Sequence, residues 1–398
     1  MNSDNAEATV ALLKSQADRA MAQSDPRTAR DLFQRAVSLA PARFDLWIGL
    51  AACQRAAGDP RAALQSVEGA LAAEPRNFPA LLMKGSLLES LGETTLAATI
   101  YGTALSLAPP TDTLAPTTRK AIAHAEQVHM TYVDNLAQAL KVELAGASRR
   151  PTPAEQRRLD VFIEATVGRR KIYRQEPAQF HYPGLPAIEF YDRDLFPWLE
   201  ALEERTDAIR AEVLNVWADG SPDLVPYLNY PDGVPLDQWA TLNRSLSWSA
   251  YHLLKDGERV EAHCAQCPAT VSAAALIDQP HVPSRSPTAM FSILKPHTRI
   301  PSHNGVANTR LVLHLPLVVP DHCGFRVGGE TRRWREGEAW VFDDTIDHEA
   351  WNDSGQPRAI LICDVWSPFL SKDERDLIAR LLGAMDRFNG VAPSGGDL

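Results

Sequence analysis

FDDTIDHEAWNDSGQPRAILICDVW, residues 342–366, reads as two apolar strands joined by a polar turn. Apolar runs on both sides of a turn rich in Asp, Asn, Ser and Gly are typical of an antiparallel β hairpin. The polar turn contains His348, and Arg358 stands ten residues later, where the second strand begins. Both side chains are candidate ligand-binding groups if neighbouring strands supply further polar residues.

More strands of this kind are predicted after Gly184, and a helix over residues 194–217 precedes them. The runs are short and alternating or β-branched, and Gly, Pro and Asp turns separate them, which predicts an antiparallel sandwich or barrel. They are WSAYHLL (248–254), TAMFSILK (288–295), LVLHLPLVV (311–319), GFRVGGETRRW (324–334), EAWVFDD (338–344) and AILICDVW (359–366).

The first 111 residues contain a repeat with a period of 34 residues. Prolines and small residues recur in four columns, namely Pro41, Pro75 and Pro109; Ala36, Ala70 and Ala104; Ala29, Ala63 and Ala97; and Ala17, Ala51 and Gly85. Small residues let two helices cross closely, and the proline ends the second helix. We prefer this interpretation to a generic alanine-rich bundle. The pattern resembles about three tetratricopeptide repeats, which form an α-solenoid that binds peptides or packs on a neighbouring domain.

Residues 112–180 are predicted to be a helical connector. The stretch 117–145 is helical by composition, and Thr152, Pro153 and Glu155 supply the start of another helix. The sheet domain is then expected over residues 181–385, with a disordered tail over residues 386–398.

Composition excludes several classes of protein. The 398 residues are 45% hydrophobic and 23% charged, and the net charge of -10 argues against nonspecific nucleic-acid binding. No run approaches the roughly 20 apolar residues of a membrane span, and the N-terminal stretch lacks the plan of a signal peptide. Five cysteines do not make a disulfide framework, and Cys264 and Cys267 form a lone Cys-x-x-Cys without a second pair for zinc. We expect a reduced, cytoplasmic protein.

Three polar residues stand at informative places in the predicted strands. His303 lies in IPSHNG just after a strand, His348 follows 45 residues later, and Arg358 comes ten residues after that. In a jelly-roll barrel the side chains of His303, His348 and Arg358 can all point into the same open end of the barrel. Two imidazoles suit Fe(II), and the planar fork of an arginine suits a carboxylate. This is the plan of a 2-oxoglutarate- and Fe(II)-dependent oxygenase, although Gly305 stands where the usual His-x-Asp motif has its carboxylate.

Three longer segments, residues 291–320, 329–352 and 358–368, closely resemble the aspartyl/asparaginyl β-hydroxylase family over roughly residues 180–380. In that family His-x-Gly is normal, and water stands where the carboxylate ligand would be. The resemblance implies a double-stranded β-helix (jelly-roll, cupin-like) domain with flanking helices, often behind tetratricopeptide repeats. It also implies Fe(II) on His303 and His348, and O2 and 2-oxoglutarate as cosubstrates. Arg358 and Ser292 would then hold the 5-carboxylate of 2-oxoglutarate, and His314 would contact its other end.

One departure from the family concerns the stretch before His314. Some members have a second arginine where this chain has Val312, which leaves Arg310 as the only basic residue there. Arg310 is a candidate cosubstrate residue, with an ion pair to a nearby acid as the alternative. Asp343 and Asp344 are interpreted as turn residues rather than as the missing carboxylate.

The resemblance predicts hydroxylation of an aliphatic carbon, with the β-carbon of Asp or Asn in a peptide or protein as the preferred target. The repeats could recruit that substrate. Free amino acids and lipid acyl chains remain alternative substrates. Two other classes are weighed against the hydroxylase: an idle repeat scaffold, and a cupin-like metalloenzyme without 2-oxoglutarate, in which Arg358 would have no role.

Overall fold

A computed structural model of the chain describes residues 3–110, 112, 114–218 and 222–389. The chain forms two compact units, residues 1–168 and residues 169–398. Residues 169–180, predicted as the end of the connector, therefore belong to the second unit. Their backbone bonds show why: the amides of Glu176 and Ala178 donate to the carbonyls of Thr345 and Gly305.

The first unit contains helices and no strand among its described residues. Its helices are α1 Ser3–Ala22, α2 Pro26–Leu39, α3 Phe44–Ala56, α4 Pro60–Ala73, α5 Phe78–Ser90, α6 Thr94–Leu105, α7 Pro116–Ala145 and α8 Pro153–Thr166. Asp25, Asp59 and Asn77 cap α2, α4 and α5, each accepting from the backbone amide three residues on. The predicted alanine columns at 29, 63, 97 and at 36, 70, 104 are fully buried. The predicted tetratricopeptide-like helical region is thereby confirmed.

Helix α8 begins where the sequence predicted. Thr152 accepts from the amide of Glu155, and the Glu155 carboxylate accepts from the amide of Thr152, so the capping box is complete. Gly85 shows how close the repeat helices pack, because an added Cβ there would overlap the ring of Tyr101.

The second unit combines five α-helices with eleven strands in the described residues. The helices are α9 Leu199–Glu203, α10 Thr206–Ala218, α11 Glu261–Gln266, α12 Pro268–Ala274 and α13 Lys372–Asn389. The strands are β1 Val225–Pro226, β2 Trp248–Lys255, β3 Glu258–Arg259, β4 Ala289–Leu294, β5 Thr298–His303, β6 Arg310–Val318, β7 Cys323–Val327, β8 Glu330–Arg332, β9 Trp340–Phe342, β10 His348–Asn352 and β11 Arg358–Trp366.

These strands form two antiparallel sheets. The larger has the order β1-β2-β4-β11-β6-β9, with β3 paired to β2, and the smaller has the order β5-β10-β7-β8. From β4 to β11 the chain passes repeatedly from one sheet to the other. The predicted architecture, helical repeats followed by a sheet-rich domain, is confirmed.

The larger sheet has two different faces because side chains alternate along each strand. On β11, Ala359, Leu361, Cys363 and Val365 join the core that packs against α9, α10 and α12. Residues of opposite parity point between the two sheets, where Ile360 and Ile362 join a second apolar cluster. This second face brings Arg358 into the interior of the domain.

Helix α13 changes the prediction for the C-terminus. It continues to Asn389, and the carboxylate of Asp386 forms an ion pair with Arg285, so residues 386–389 are helical rather than disordered. Residues 390–398 of the predicted tail lie outside the described residues. Within the described ranges no helix is both long and apolar enough to cross a bilayer. All five cysteines are free and buried.

Candidate active site

A cavity of about 600 Å³ lies between the two sheets of the second unit. All six residues predicted from the sequence line it, namely Ser292, His303, Arg310, His314, His348 and Arg358. They come from five strands. The last two residues begin β10 and β11, which lie in different sheets, so the hairpin predicted over residues 342–366 does not form.

The two histidines face each other across the pairing of β5 with β10. His303 and His348 are register partners, and their ring centroids lie 4.0 Å apart. Nδ1 of His303 is 2.7 Å from the carbonyl oxygen of Pro301, and Nδ1 of His348 is 3.1 Å from that of Ile346. A carbonyl oxygen only accepts, so each Nδ1 donates and each Nε2 keeps its lone pair. This is the tautomer that binds a metal through Nε2.

Both imidazoles are held neutral. Burial, reinforced by the neighbouring His348, lowers the pKa of His303 from 6.5 to about 3. Burial lowers the pKa of His348 to about 4. A neutral ring is the form that coordinates a metal, so near neutral pH no proton competes with the ion. Two neighbouring neutral nitrogen donors therefore fit the predicted Fe(II).

A third ligating residue is not evident. In the part of the chain that the structure describes, no group of three or more His, Cys, Asp and Glu side chains could hold a metal ion. The carboxylate of Asp344 fills the space beside Gly305, where an added Cβ would overlap it. Asp344 is buried, its Oδ2 lies 3.2 Å from Arg310, and its Oδ1 has no hydrogen-bond partner among the described residues.

Asp343 has the local contacts of a turn residue. Its Oδ1 accepts from the backbone amide and the hydroxyl of Thr345, and its Oδ2 accepts from Nε2 of Gln175. Burial raises its pKa to about 6. These bonds agree with the turn interpretation of Asp343, and they tie residue 175 of the segment after the repeats to the loop before His348.

Arg358 is a buried cation without a counter-ion. Its side chain is 1% exposed, and its guanidinium lies 4.9 Å from the ring centroid of Trp334. Among the residues described, no carboxylate is within ion-pairing distance and its Nε has no hydrogen-bond partner. Burial lowers its pKa to about 10. Such a charge is costly unless an anion compensates it, so the site calls for an anionic ligand.

Ser292 and His314 lie beside this arginine. Ser292 pairs in register with Ile360, two residues from Arg358 on the same face of β11. Its hydroxyl accepts from Nε1 of Trp248 at 3.1 Å, which leaves the hydroxyl proton available to a ligand. His314 is buried with its Nδ1 unpartnered among the described atoms, and burial together with the charge of Arg358 lowers its pKa well below the ordinary value. A serine, a neutral histidine and an arginine thus surround one end of the cavity.

Arg310 lies between two carboxylates. It is 3.2 Å from Asp344 and 3.2 Å from Asp364, and both acids are buried. Burial alone would lower the pKa of Arg310, but the two carboxylates outweigh it and raise that pKa. The ion-paired alternative considered from the sequence therefore describes Arg310 in this structure.

Some site residues escaped the sequence analysis. Trp248 supports Ser292, Trp334 stacks on Arg358, and Asp364 holds Arg310. The alternation of β11 could have indicated Asp364, which shares the parity of Arg358. The two tryptophans depend on cross-strand register and loop packing, which a single sequence does not reveal.

The first unit consists of helical repeats, and the second holds a cavity between two antiparallel sheets. The chain is thus a repeat-bearing β-sandwich protein. Residues 203–368 match the Aspartyl/Asparaginyl beta-hydroxylase family, and residues 20–80 and 54–110 match tetratricopeptide repeats. The chain therefore carries a domain of the aspartyl/asparaginyl β-hydroxylase family preceded by tetratricopeptide repeats, as the sequence predicted.

Relatives of this domain are named as hydroxylases of different substrates. The Ornithine lipid ester-linked acyl 2-hydroxylase of Rhizobium tropici is 34% identical over 199 residues, which are 49% of this chain and 66% of that protein. The Aspartyl/asparaginyl beta-hydroxylase of Homo sapiens is 36% identical over 146 residues, 36% of this chain and 19% of that protein. The chain thus spans about a fifth to about two thirds of these relatives. Among solved structures, the Sgt2 tetratricopeptide domain of Aspergillus fumigatus matches with a TM-score of 0.27 and 21% identity, over 36% of this chain and 85% of that one.

Proposed function

We propose that the second unit is an Fe(II)- and 2-oxoglutarate-dependent dioxygenase that hydroxylates an aliphatic carbon. The observation that carries the proposal is the unpaired, fully buried Arg358, which lines the same cavity as the neutral pair His303 and His348. A structural arginine would have a carboxylate partner, and an idle scaffold would have no reason to keep an uncompensated charge in its interior. A dicarboxylate cosubstrate supplies that charge.

Each residue has a defined task in this proposal. Nε2 of His303 and Nε2 of His348 would hold the metal, with the backbone carbonyls of Pro301 and Ile346 fixing the ring orientations. Arg358 would bind one carboxylate of 2-oxoglutarate through its planar fork.

Two neighbours complete the cosubstrate site. The Ser292 hydroxyl would donate to the same carboxylate as Arg358, and His314 would turn its unpartnered Nδ1 toward the cosubstrate. The tryptophan rings beside Ser292 and Arg358 exclude water, which strengthens both interactions.

Iron and 2-oxoglutarate, when bound, would supply the oxidising chemistry: one atom of O2 enters the substrate C–H bond as hydroxyl and the other enters succinate, while 2-oxoglutarate loses CO2. The protein provides orientation and a water-poor cavity, and its neutral histidines accept no proton in the process.

The resemblance favours the β-carbon of an Asp or Asn residue as the target, and the acyl hydroxylase of Rhizobium tropici favours an acyl chain. The repeats are a surface for a peptide or protein partner, and we assign to them the recruitment of a substrate-bearing protein. The free thiols of all five cysteines suit a reducing compartment such as the cytoplasm.

Turnover of the cosubstrate tests the proposal. The purified chain, supplied with Fe(II), ascorbate and O2, should convert 2-oxoglutarate to succinate slowly even without substrate, and His348→Ala should abolish the conversion. Equal succinate release by wild type and His348→Ala, or none by either, would contradict the proposed function.

A further inference from the structure

Strand β5 is irregular directly before His303. Ile300 and His303 both line the cavity although they stand three positions apart, whereas their register partners on β10, Ala350 and His348, stand two apart. Side chains of a regular strand return to the same face at every second residue, so β5 contains one extra residue here, which makes a β-bulge. Without the bulge, His303 would point to the opposite face of the smaller sheet from His348.

The bulge consists of Pro301 and Ser302, which stand opposite the single residue Glu349. Proline suits this place because it has no amide hydrogen to leave unpaired. The carbonyl oxygen of Pro301 accepts from Nδ1 of His303 at 2.7 Å, and the carbonyl oxygen of Ser302 accepts from Nε2 of Gln238 at 2.9 Å. Both carbonyl groups of the bulge are therefore held by side-chain donors.

A polar cluster also joins the two residues that directly precede the histidines. The hydroxyl of Ser302 donates to Oδ2 of Asp347. Arg326 of β7 lies 2.7 Å from Oδ1 of Asp347 and 2.6 Å from Oε1 of Glu349, and it donates to the carbonyl oxygen of Gly328 at 2.8 Å. Ser302, Arg326, Asp347 and Glu349, here named the outer clasp, all stand outside the cavity lining.

The outer clasp is more buried and more connected than an ordinary surface ion pair. The side chains of Arg326, Asp347 and Glu349 are 19%, 32% and 34% exposed, and one guanidinium holds both carboxylates. By contrast, Arg299 and Asp353 form a single pair at the other end of β5 and β10, and they are 62% and 45% exposed. An isolated exposed pair contributes little, whereas a charge-assisted network fixes the geometry of the groups that it joins.

We infer that the outer clasp positions the two histidines for the metal. By tying Ser302 to Asp347 it holds the bulge in place, and the bulge keeps His303 opposite His348 with its Nδ1 on the carbonyl oxygen of Pro301. Ser302 and Asp347 are positioning residues, because each acts through the backbone on the histidine that follows it. The inference rests on the proposed function where it names a metal, but the orientation of the rings is a property of the metal-free protein.

Metal affinity tests the inference. Mn(II), an oxygen-stable substitute for Fe(II), is titrated calorimetrically into the metal-free protein. Asp347→Ala should weaken Mn(II) binding at least tenfold, as expected for loss of a group that supports metal-binding histidines. Asp353→Ala is the matched control, because it removes an ion pair between the same two strands, and it should change the affinity less than twofold. A loss smaller than tenfold in Asp347→Ala, or an equal loss in the control, overturns the inference.

Ser302 provides a milder pair of variants. Ser302→Ala removes one hydroxyl and leaves the ion pairs of Arg326 in place, and it should weaken Mn(II) binding at least threefold. Ser302→Thr keeps a hydroxyl that can donate to Asp347, so its affinity should stay within twofold of the wild type. Equal affinities of the two variants contradict the role of the hydroxyl. Urea unfolding of each variant separates a purely structural role, which would lower the free energy of unfolding without changing the Mn(II) affinity of the folded protein.

The ring tautomers distinguish failure of the inference from failure of the proposed function. In metal-free protein labelled with 15N-histidine, the imidazoles of His303 and His348 should carry the proton on Nδ1. Asp347→Ala should add the tautomer protonated on Nε2, because a loosened ring no longer keeps its carbonyl partner. If the wild type does not bind Mn(II), the proposed function is wrong and the 15N spectra still decide the inference. If the wild type binds Mn(II) and Asp347→Ala changes neither the affinity nor the spectra, the inference alone is wrong.

Discussion

Replacement of Arg358 by methionine should stabilise the fold and abolish cosubstrate binding at the same time. The guanidinium is 1% exposed and has no carboxylate partner among the described residues, so the ligand-free protein bears the cost of burying a charge. Methionine keeps an unbranched side chain at the position and removes the charge. If Arg358 instead stabilised the fold, its replacement by methionine would lower the free energy of unfolding.

The pKa of Arg358 gives the size of the stabilisation. The lowering of this pKa to about 10 corresponds to a cost of about 3 kcal/mol for the charged form at neutral pH. The sign follows because a lowered pKa disfavours the charged form, and the penalty is fully present below pH 10. Loss of the contact with Trp334 returns about 1 kcal/mol. The free energy of unfolding should therefore rise by about 2 kcal/mol in the ligand-free protein.

The cosubstrate should respond in the other direction. Removal of one member of a buried charge pair costs about 3 kcal/mol, so 2-oxoglutarate should bind about a hundredfold more weakly. Urea unfolding and calorimetric titration of 2-oxoglutarate measure the two effects. Arg332→Met is the control, because Arg332 packs over Phe190 and pairs with Glu330. A destabilised Arg358→Met protein, or one with unchanged 2-oxoglutarate affinity, would refute the reasoning.

Two further predictions concern the cavity walls. Gly305→Ala should destabilise the protein by about 1–3 kcal/mol in urea unfolding, because the added methyl overlaps the buried carboxylate of Asp344. Gly355→Ala, with open space around its Cβ, should be neutral or slightly stabilising, and equal costs at both sites would contradict the packing argument. His252 has a pKa lowered to about 4 by burial, so stability should fall by about 2 kcal/mol from pH 6.5 to pH 5, where the unfolded chain gains the proton and the fold does not. His252→Gln should remove this part of the pH dependence, whereas substitution of the exposed His281 by Gln should leave it unchanged. An unchanged dependence of the unfolding free energy on pH in His252→Gln would contradict the assignment to His252.

The sequence predicted the elements that have strong local patterns. The 34-residue columns specify the repeats, and Thr152 with Glu155 specifies the start of α8. The segment with His348 and Arg358 was predicted only in part: β10 begins at His348 and β11 at Arg358, but the two strands pair in different sheets, so the predicted hairpin is wrong. The metal and cosubstrate roles came from the family resemblance, and they stay predictions.

The partners of Arg310 could not be predicted in the same way. Asp364 reaches it because β6 and β11 pair with Val312 opposite Asp364, and one strand's pattern does not fix that register. The segment at residues 169–180 has neither helical nor strand periodicity. Its backbone bonds to Thr345 and Gly305, and the side-chain bond of Gln175 to Asp343, assign it to the second unit.

The binding of 2-oxoglutarate to the iron-loaded protein tests the central claim most directly. Titrated without O2 into protein with one equivalent of Fe(II), 2-oxoglutarate should produce the weak visible charge-transfer band of its iron chelate, saturating at one equivalent. His348→Ala should show no band, and Arg358→Met should need about a hundredfold more 2-oxoglutarate to reach it. No band in the wild type, or an unchanged titration in His348→Ala, would contradict a site built from this histidine pair and this arginine.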